Sequence, residues 1–365
     1  MSFDFFPSRT LTLYLAKMFS LRILAVLVML VLVLMMLDLL STSGEILAVE
    51  GNSEADLWRY ASLRVPLLIQ RFLPYSVLLA TIITLVTLNQ NSEVIAMKAS
   101  GLSAHQVLAP LIMTALVVSI ATFAFNERVV TRAASELNVW EASEFGALSQ
   151  AEETRGSIYL VDGSDILTAR GYEANGPAPR LTDVTFYRRS PSGEIVQQID
   201  APLAVRGNDG WAMQTPQVFT VGTASTTLPD ELIVAPGITP AQIELASVDP
   251  AAQPFWQLDG SIDAYRAAGR DTGELEANYW HKISGPLSAM LMPILGAVAG
   301  FGLARSGQLF VRAVTGMFLG FAYFVIDNAA LAMGDFGGYP PFLAAWAPFF
   351  LFLLIGETVL VRTEE

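Results

Sequence analysis

Apolar residues gather in six long runs, and between the third and fourth the pattern changes to short alternating stretches. A bilayer core about 30 Å thick takes roughly 20 apolar residues as a helix. Runs of that length lie at Phe19 to Leu40, Val65 to Leu88, Ala104 to Phe125, Ile283 to Leu303, Ala313 to Met333 and Pro341 to Val361. Ile23 to Leu37 holds no charge. The second run contains Arg71, with Pro66 and Pro74 as entry or kink points, and Asp327 and Glu357 interrupt the fifth and sixth. The pattern predicts membrane-crossing helices, three on each side of an insert.

Within the insert, Asn126 to Gln150 is polar with helical spacing (Val129, Val130, Leu137, Trp140), which predicts an extension of the third helix. From Gly156 the period falls towards two. Ser157–Val161, Leu181–Tyr187, Glu194–Ile199, Trp211–Gln214 and Gln217–Val221 read as short strands. Turn signals separate them: Asp162-Gly-Ser, Asn175-Gly-Pro, Pro191-Ser-Gly and Gly207-Asn-Asp-Gly. Many short strands at regular spacing point to a sandwich or an open barrel. Ser261 to Gly269 reads as a short helix. The fold class that follows is an α-helical transmembrane bundle of six spans, arranged 3+3, with an inserted all-β domain. Residues 1–125 form the first block, 126–276 the insert with helical flanks, and 277–365 the second block.

Composition agrees with this division. Apolar residues make up 53% of the chain and charged ones 15%, so the charges must concentrate outside the runs, as in membrane proteins. A net charge of −13 argues against nucleic-acid binding, which needs a basic patch. The absence of cysteine excludes disulfides, a thiol nucleophile and thiolate metal sites. His105 and His281 are too few and too far apart to suggest a metal site, and each reads as a polar helix end. Arg9, Lys17 and Arg22 lead into the first run without a small-residue cleavage site, so that run reads as a retained anchor. Short-loop lysine and arginine set the orientation. One side collects Arg9, Lys17, Arg22, Lys98, Arg305, Arg312 and Arg362. The other carries Glu45, Glu50, Glu54 and Asp56, offset partly by Arg59 and Arg64, and a last loop with Asp335. Both termini are therefore expected in the cytoplasm and the β-domain outside.

Motifs for catalysis are missing. A P-loop needs a lysine after glycine, and Lys17, Lys98 and Lys282 do not follow one. There is no G-x-S-x-G and no H-E-x-x-H. The acids of the insert (Asp162, Asp165, Asp183, Glu194, Asp209) read as strand ends and turns. The more informative segment is Thr87 to Gly101, a short crossover. Ser92 is placed to cap a helix, Glu93 suits its first turn, and Gly101 can end it. Val94 and Met97, with Ile95 beside them, form an apolar strip on about two turns, too short to be stable alone. That strip either docks in a partner on the cytoplasmic side or lies on lipid.

Phe72-Leu-Pro74 followed by Leu88-Asn-Gln-Asn-Ser-Glu-Val-Ile-Ala-Met-Lys-Ala-Ser-Gly101 resembles the LptF/LptG permeases of the lipopolysaccharide exporter. Trp280-His-Lys282, Pro286-Leu-Ser288, Phe301-Gly302, Arg305-Ser306, Val311 to Gly316, Gly320 and Tyr323 to Asp327 extend the likeness over nearly the whole chain, closer to LptG than to LptF. The resemblance implies the permease half of an ABC exporter in the inner membrane, with a periplasmic β-jellyroll. It implies an LptF-like permease subunit, an LptB-like ATPase dimer that uses the ATP, an LptC-like bridge protein, and lipopolysaccharide as cargo. No cofactor of the chain's own is implied. The helix around residues 91–101 matches the family's coupling helix, which assigns ATPase coupling to Glu93, Val94, Met97 and Ser92.

Ionisable groups within spans are costly and default to function. Asp38 ends span one and Asp327 lies late in span five, the helices that form a lateral gate in this family; the other reading of each is an interfacial helix-end acid. Arg59, Arg64 and Arg71 form a basic ladder into span two. Arg64 and Arg71 are candidates for contact with lipid phosphates, since arginine suits bidentate phosphate contact; the alternative is snorkelling. Some family members carry lysines where this chain has Met35 and Leu67, so the family's phosphate pattern is not transferred intact. Met35, Phe318 and Phe321 are candidates to line a space for acyl chains, or they face lipid and neighbouring helices. Gly296, Gly300, Gly316 and Gly320 read as packing positions. Two other classes stay in view: a membrane scaffold or sensor, and a lipid-modifying enzyme using Asp38, Asp327 or Glu357.

Overall fold

The computed structural model describes residues 7–146, 158–173, 178–190, 193–221, 225–227, 231–240, 243, 249–267, 271–297 and 309–364. Two helical blocks flank a β-domain. Helix α1 (Arg9–Ala48) runs unbroken for 40 residues, with no proline inside it and the Ser8 hydroxyl accepting from the Leu11 N–H at its start. Helix α2 (Glu54–Gln90) opens with a Ser53–Asp56 capping box and absorbs Pro66 and Pro74. The short α3 (Glu93–Ala99) leads to α4 (Ala104–Phe125), capped reciprocally by Ser103 and Gln106. A π-helical turn at Asn126–Val130 then continues into α5 (Thr131–Ala142), so the third span does carry a helical extension. After the β-domain come α6 (Phe255–Ala267), α7 (Gly273–Gly296), α8 (Leu309–Asp335) and α9 (Pro341–Glu364).

Five of these stretches are long and apolar enough to cross a membrane: Arg9–Ala48, Glu54–Gln90, Ala104–Glu141, Ala313–Asp335 and Pro341–Arg362. The expected fourth span falls on α7 as far as Gly296. Its remainder, with Gly300 and Leu303, and the loop bearing Arg305 lie outside the described residues. Helix α7 sits inside the bundle, burying Ser284, Ser288, Leu291, Met292 and Leu295. Its close packing has a visible cause. A Cβ at Gly296 would stand 2.7 Å from the Thr81 side chain, one at Gly356 of α9 would stand 2.7 Å from Ile294, and one at Gly320 of α8 would collide with Leu78. Small residues let helix backbones approach where apolar lipid gives no drive to pack.

The insert is one antiparallel sheet in the order β1-β2-β3-β4-β5-β8, with β6 paired to β4 and β7 to β6. The strands are β1 (Ile158–Asp162), β2 (Asp165–Glu173), β3 (Arg180–Arg189), β4 (Ile195–Arg206), β5 (Trp211–Gln214), β6 (Gln217–Thr220), β7 (Ser225–Thr227) and β8 (Glu231–Val234). Strand β4 pairs with β5 at Leu203–Arg206 and with β6 at Gln197–Asp200. The break falls at Thr215, whose φ is +48°, and at Pro216, which has no N–H to donate, so the sheet forks there. Alternation turns Leu160, Leu167, Phe186, Ile199 and Val218 to a buried face. Trp211 closes it, donating from its indole N–H to the Ile238 carbonyl at 2.9 Å.

Candidate functional site: a cationic cavity and a short connecting helix

A cavity of about 500 Å³ opens between α2, the π turn, α7 and α8, at the end of the bundle where Pro250 and Ala251 return from the β-domain. Its charged lining is Arg64 and Arg71 from α2, His281 and Lys282 from α7, and Asp327 from α8. Leu67, Pro74, Tyr75 and Phe324 supply an apolar wall, with the Tyr75 and Phe324 rings stacked at 3.7 Å between centroids. The π turn adds one residue to a helical turn and so places the buried Asn126 side on this wall.

Each block holds its acid differently. Asp38 of α1 accepts from Arg64 Nε at 3.1 Å and Nη2 at 3.2 Å, and from the Tyr60 hydroxyl at 2.8 Å. The acid expected at a gate is thus paired with α2 of its own chain. Asp327, whose side chain is 9% exposed, meets His281 Nε2 at 3.1 Å and the Tyr323 hydroxyl at 3.4 Å. Higher on α2, Arg59 binds Glu136 of α5 at 3.0 Å and lies over the Trp140 ring.

Arg71 and Lys282 have no direct ion pair among the described residues, and Lys282 is 8% exposed. Glu127 and Asp249 act on Lys282 electrostatically, but Glu127 spends one oxygen on the Phe255 N–H and its other is buried without a partner. An ammonium withdrawn from water and left without an ion pair is costly, so an anion entering this space meets one buried cation, Lys282, beside the exposed guanidinium of Arg71. Lys282 was missed by sequence reasoning as a site residue. Its signal was a lysine at the head of an apolar run.

Met35 does not face this cavity. It is 7% exposed and packs with Val31, Tyr60, Leu63 and Leu68, because the unbroken α1 turns that face onto α2. Phe318 and Phe321 are 66% and 58% exposed on the outer surface of α8, away from the cavity. Among the three proposed acyl contacts, none is brought to the charged residues in the single chain.

Helix α3 also differs from the expectation. Val94 and Met97 are buried in the chain's own core beside Leu85, Leu88 and Val107, which is how two turns of helix are stabilised. The face left open carries Ile95. Ser92 stands at the N-cap in a left-handed conformation (φ +59°) and makes no capping hydrogen bond through its side chain. Gly101 ends the helix as expected. At φ +92° it donates to the Lys98 carbonyl at 3.0 Å, and Leu102 donates to Met97 at 3.2 Å. Glu93 accepts from the Tyr14 hydroxyl of α1 at 3.3 and 3.5 Å.

A shallower hollow of about 700 Å³ lies on the outer face of the sheet, where Arg170 lies 3.7 Å from Asp183 and register brings Thr185 opposite Asp200. Among the described residues no three His, Asp or Glu side chains converge as a metal site.

Two helical blocks around a β-domain, with a cationic cavity between α2, α7 and α8, define a helical membrane-protein fold with an inserted β-domain. The sequence comparison makes this specific. Residues 13–362 match the family described as lipopolysaccharide export system permease LptF/LptG, and the chain belongs to that family. A relative named lipopolysaccharide export system permease protein LptG from Escherichia coli K12 is 27% identical over 318 residues, covering 83% of this chain and 84% of the relative. The protein of the same name from Haemophilus influenzae is 24% identical over 326 residues, covering 86% and 89%.

Proposed function

We propose that this chain is an LptG-like permease subunit of an ABC exporter that takes lipopolysaccharide from the outer leaflet of the inner membrane and delivers it to a periplasmic bridge. The observation that carries the reading is the cavity: Arg71 and Lys282 without ion pairs, beside the apolar Leu67, Pro74 and Phe324, suit a lipid with anionic phosphates. Arg64 joins them when it releases Asp38. Both termini face the cytoplasm, as the loop arginines favour, and the β-domain faces the periplasm.

The exposed face of α3, with Glu93 and Ile95, receives a separate ATPase dimer, while Val94 and Met97 anchor the helix in the bundle. An LptF-like subunit covers the open faces of α1 and α8, including Phe318 and Phe321, and completes the acyl-chain space. Asp38 and Asp327 hold the helices that border the exit. The β-domain hands the lipid to an LptC-like bridge.

Affinity purification of the chain from its native membrane tests this. The expected result is a complex containing a second permease and an ATPase, which releases lipopolysaccharide only with ATP. Recovery of the chain without any ATPase, or protease access to the β-domain from the cytosol alone, would contradict it.

A further inference from the structure

We infer that Tyr14 is a positioning residue that ties α3 to α1, so that movement of the short helix is delivered along α1 to Arg64 in the cavity. The inference rests on the reading of α3 as the ATPase-facing helix. Glu93 opens α3, and its carboxylate is held by a hydroxyl that lies 79 residues away in the chain, near the start of α1. Arg22 lies two turns further along the same face of α1, with one guanidinium nitrogen buried and unpartnered, and it acts electrostatically on both Tyr14 and Glu93. The contact joins the two helices through a charged oxygen, at a separation longer than an ideal O–H···O bond.

What α1 does with that contact follows from its form. No proline interrupts it, and between Tyr14 and Asp38 it contains no glycine. Helices bend sharply at such residues or at π bulges, so this stretch acts as one rod of about 36 Å, at about 1.5 Å per residue. At the far end Asp38 grips Arg64, which lines the cavity. The rod lies at the edge of the chain's own bundle. Only 22% of its most apolar window is buried in the chain, against 67% for α2. Of the two helices packed together, α1 has the larger face outside the chain's own bundle. A shift of α3 would reach Arg64 through Tyr14, α1 and Asp38.

The experiment uses the full complex purified with the chain, reconstituted in vesicles containing lipopolysaccharide. Lipid released per ATP hydrolysed is measured for the wild type and Tyr14→Phe. The phenylalanine ring keeps the packing and loses only the hydroxyl. The expected result is that the ATPase still co-purifies, because Val94 and Met97 still anchor α3, while lipid released per ATP falls about threefold to tenfold. Spin labels at Leu21→Cys and Ala99→Cys, in a chain with no native cysteine, should keep one separation through the ATP cycle in the wild type. Tyr14→Phe should broaden that separation. A merely structural role would lower the amount of complex and leave its lipid-to-ATP ratio at the wild-type value, which would overturn the inference. If the wild-type complex contains no ATPase, the underlying reading of α3 fails first and the inference with it.

Discussion

The first block grips its acid in a half-exposed pair at the bundle edge, and the second buries the acid of a similar grip. Both use a carboxylate on one helix, a tyrosine, and a nitrogen base on the neighbouring helix. In the first, the Arg64 and Asp38 side chains are 31% and 21% exposed and meet through two hydrogen bonds. In the second, His281 is 28% exposed but Asp327 only 9%, and the acid takes one hydrogen bond from His281 and one from Tyr323 of its own helix. Ion pairs open to water contribute about 0–1 kcal/mol, whereas breaking a buried pair costs about 3–5 kcal/mol. The difference assigns them different work. An anion entering the cavity can take Arg64 from Asp38 at small cost, but it cannot cheaply take His281 from Asp327. The first is an exchangeable contact and the second a pin between α7 and α8.

Four substitutions test that contrast, from the largest effect to the smallest. Asp327→Ala should destabilise the fold by about 2–3 kcal/mol, since it removes the acceptor of the buried Tyr323 hydroxyl and of the partly exposed His281; thermal unfolding in detergent measures this. A value near zero would remove the distinction between the two grips. Gly320→Ala should cost about 1–3 kcal/mol through its clash with Leu78, read in the same assay. It shows that α8 is fixed by packing as well as by the pin. Lys282→Met should weaken binding of a phosphorylated lipid about tenfold, or about 1.4 kcal/mol, as read by titration with lipid nanodiscs. Arg64→Gln should lower stability by less than about 1 kcal/mol yet still weaken lipid binding. If its stability cost matched that of Asp327→Ala, the first grip would be a pin too.

Much of the fold was legible because membrane spans announce themselves by length. The strands were less so. Trp211–Gln214 and Gln217–Thr220 emerge at the expected places, and Gly207 to Gly210 forms the expected turn, with Gly207 donating to the Gly210 carbonyl at 2.8 Å. Strand β2 was missed because Ala169, Arg170 and Gly171 dilute its β-forming signal, and pairing on both edges stabilises it. The site was legible as residue types but not as partners. Arg64 and Arg71 read as cationic groups entering a span, and both line the cavity. That Arg64 would close on Asp38 requires two helices to be side by side, which a linear pattern does not contain. Likewise the strip of Val94 and Met97 announces a docking face, but only packing reveals that the chain itself fills it.

The most direct test of the cavity as the lipid site is photocrosslinking in living cells. A photoreactive residue replaces Leu67 on the cavity wall or, as control, Met113 on the outer surface of α4. The account predicts a lipopolysaccharide adduct at position 67 that fades with Lys282→Met, and none at position 113. Equal adducts at both positions, or an adduct at 67 indifferent to Lys282, would contradict it.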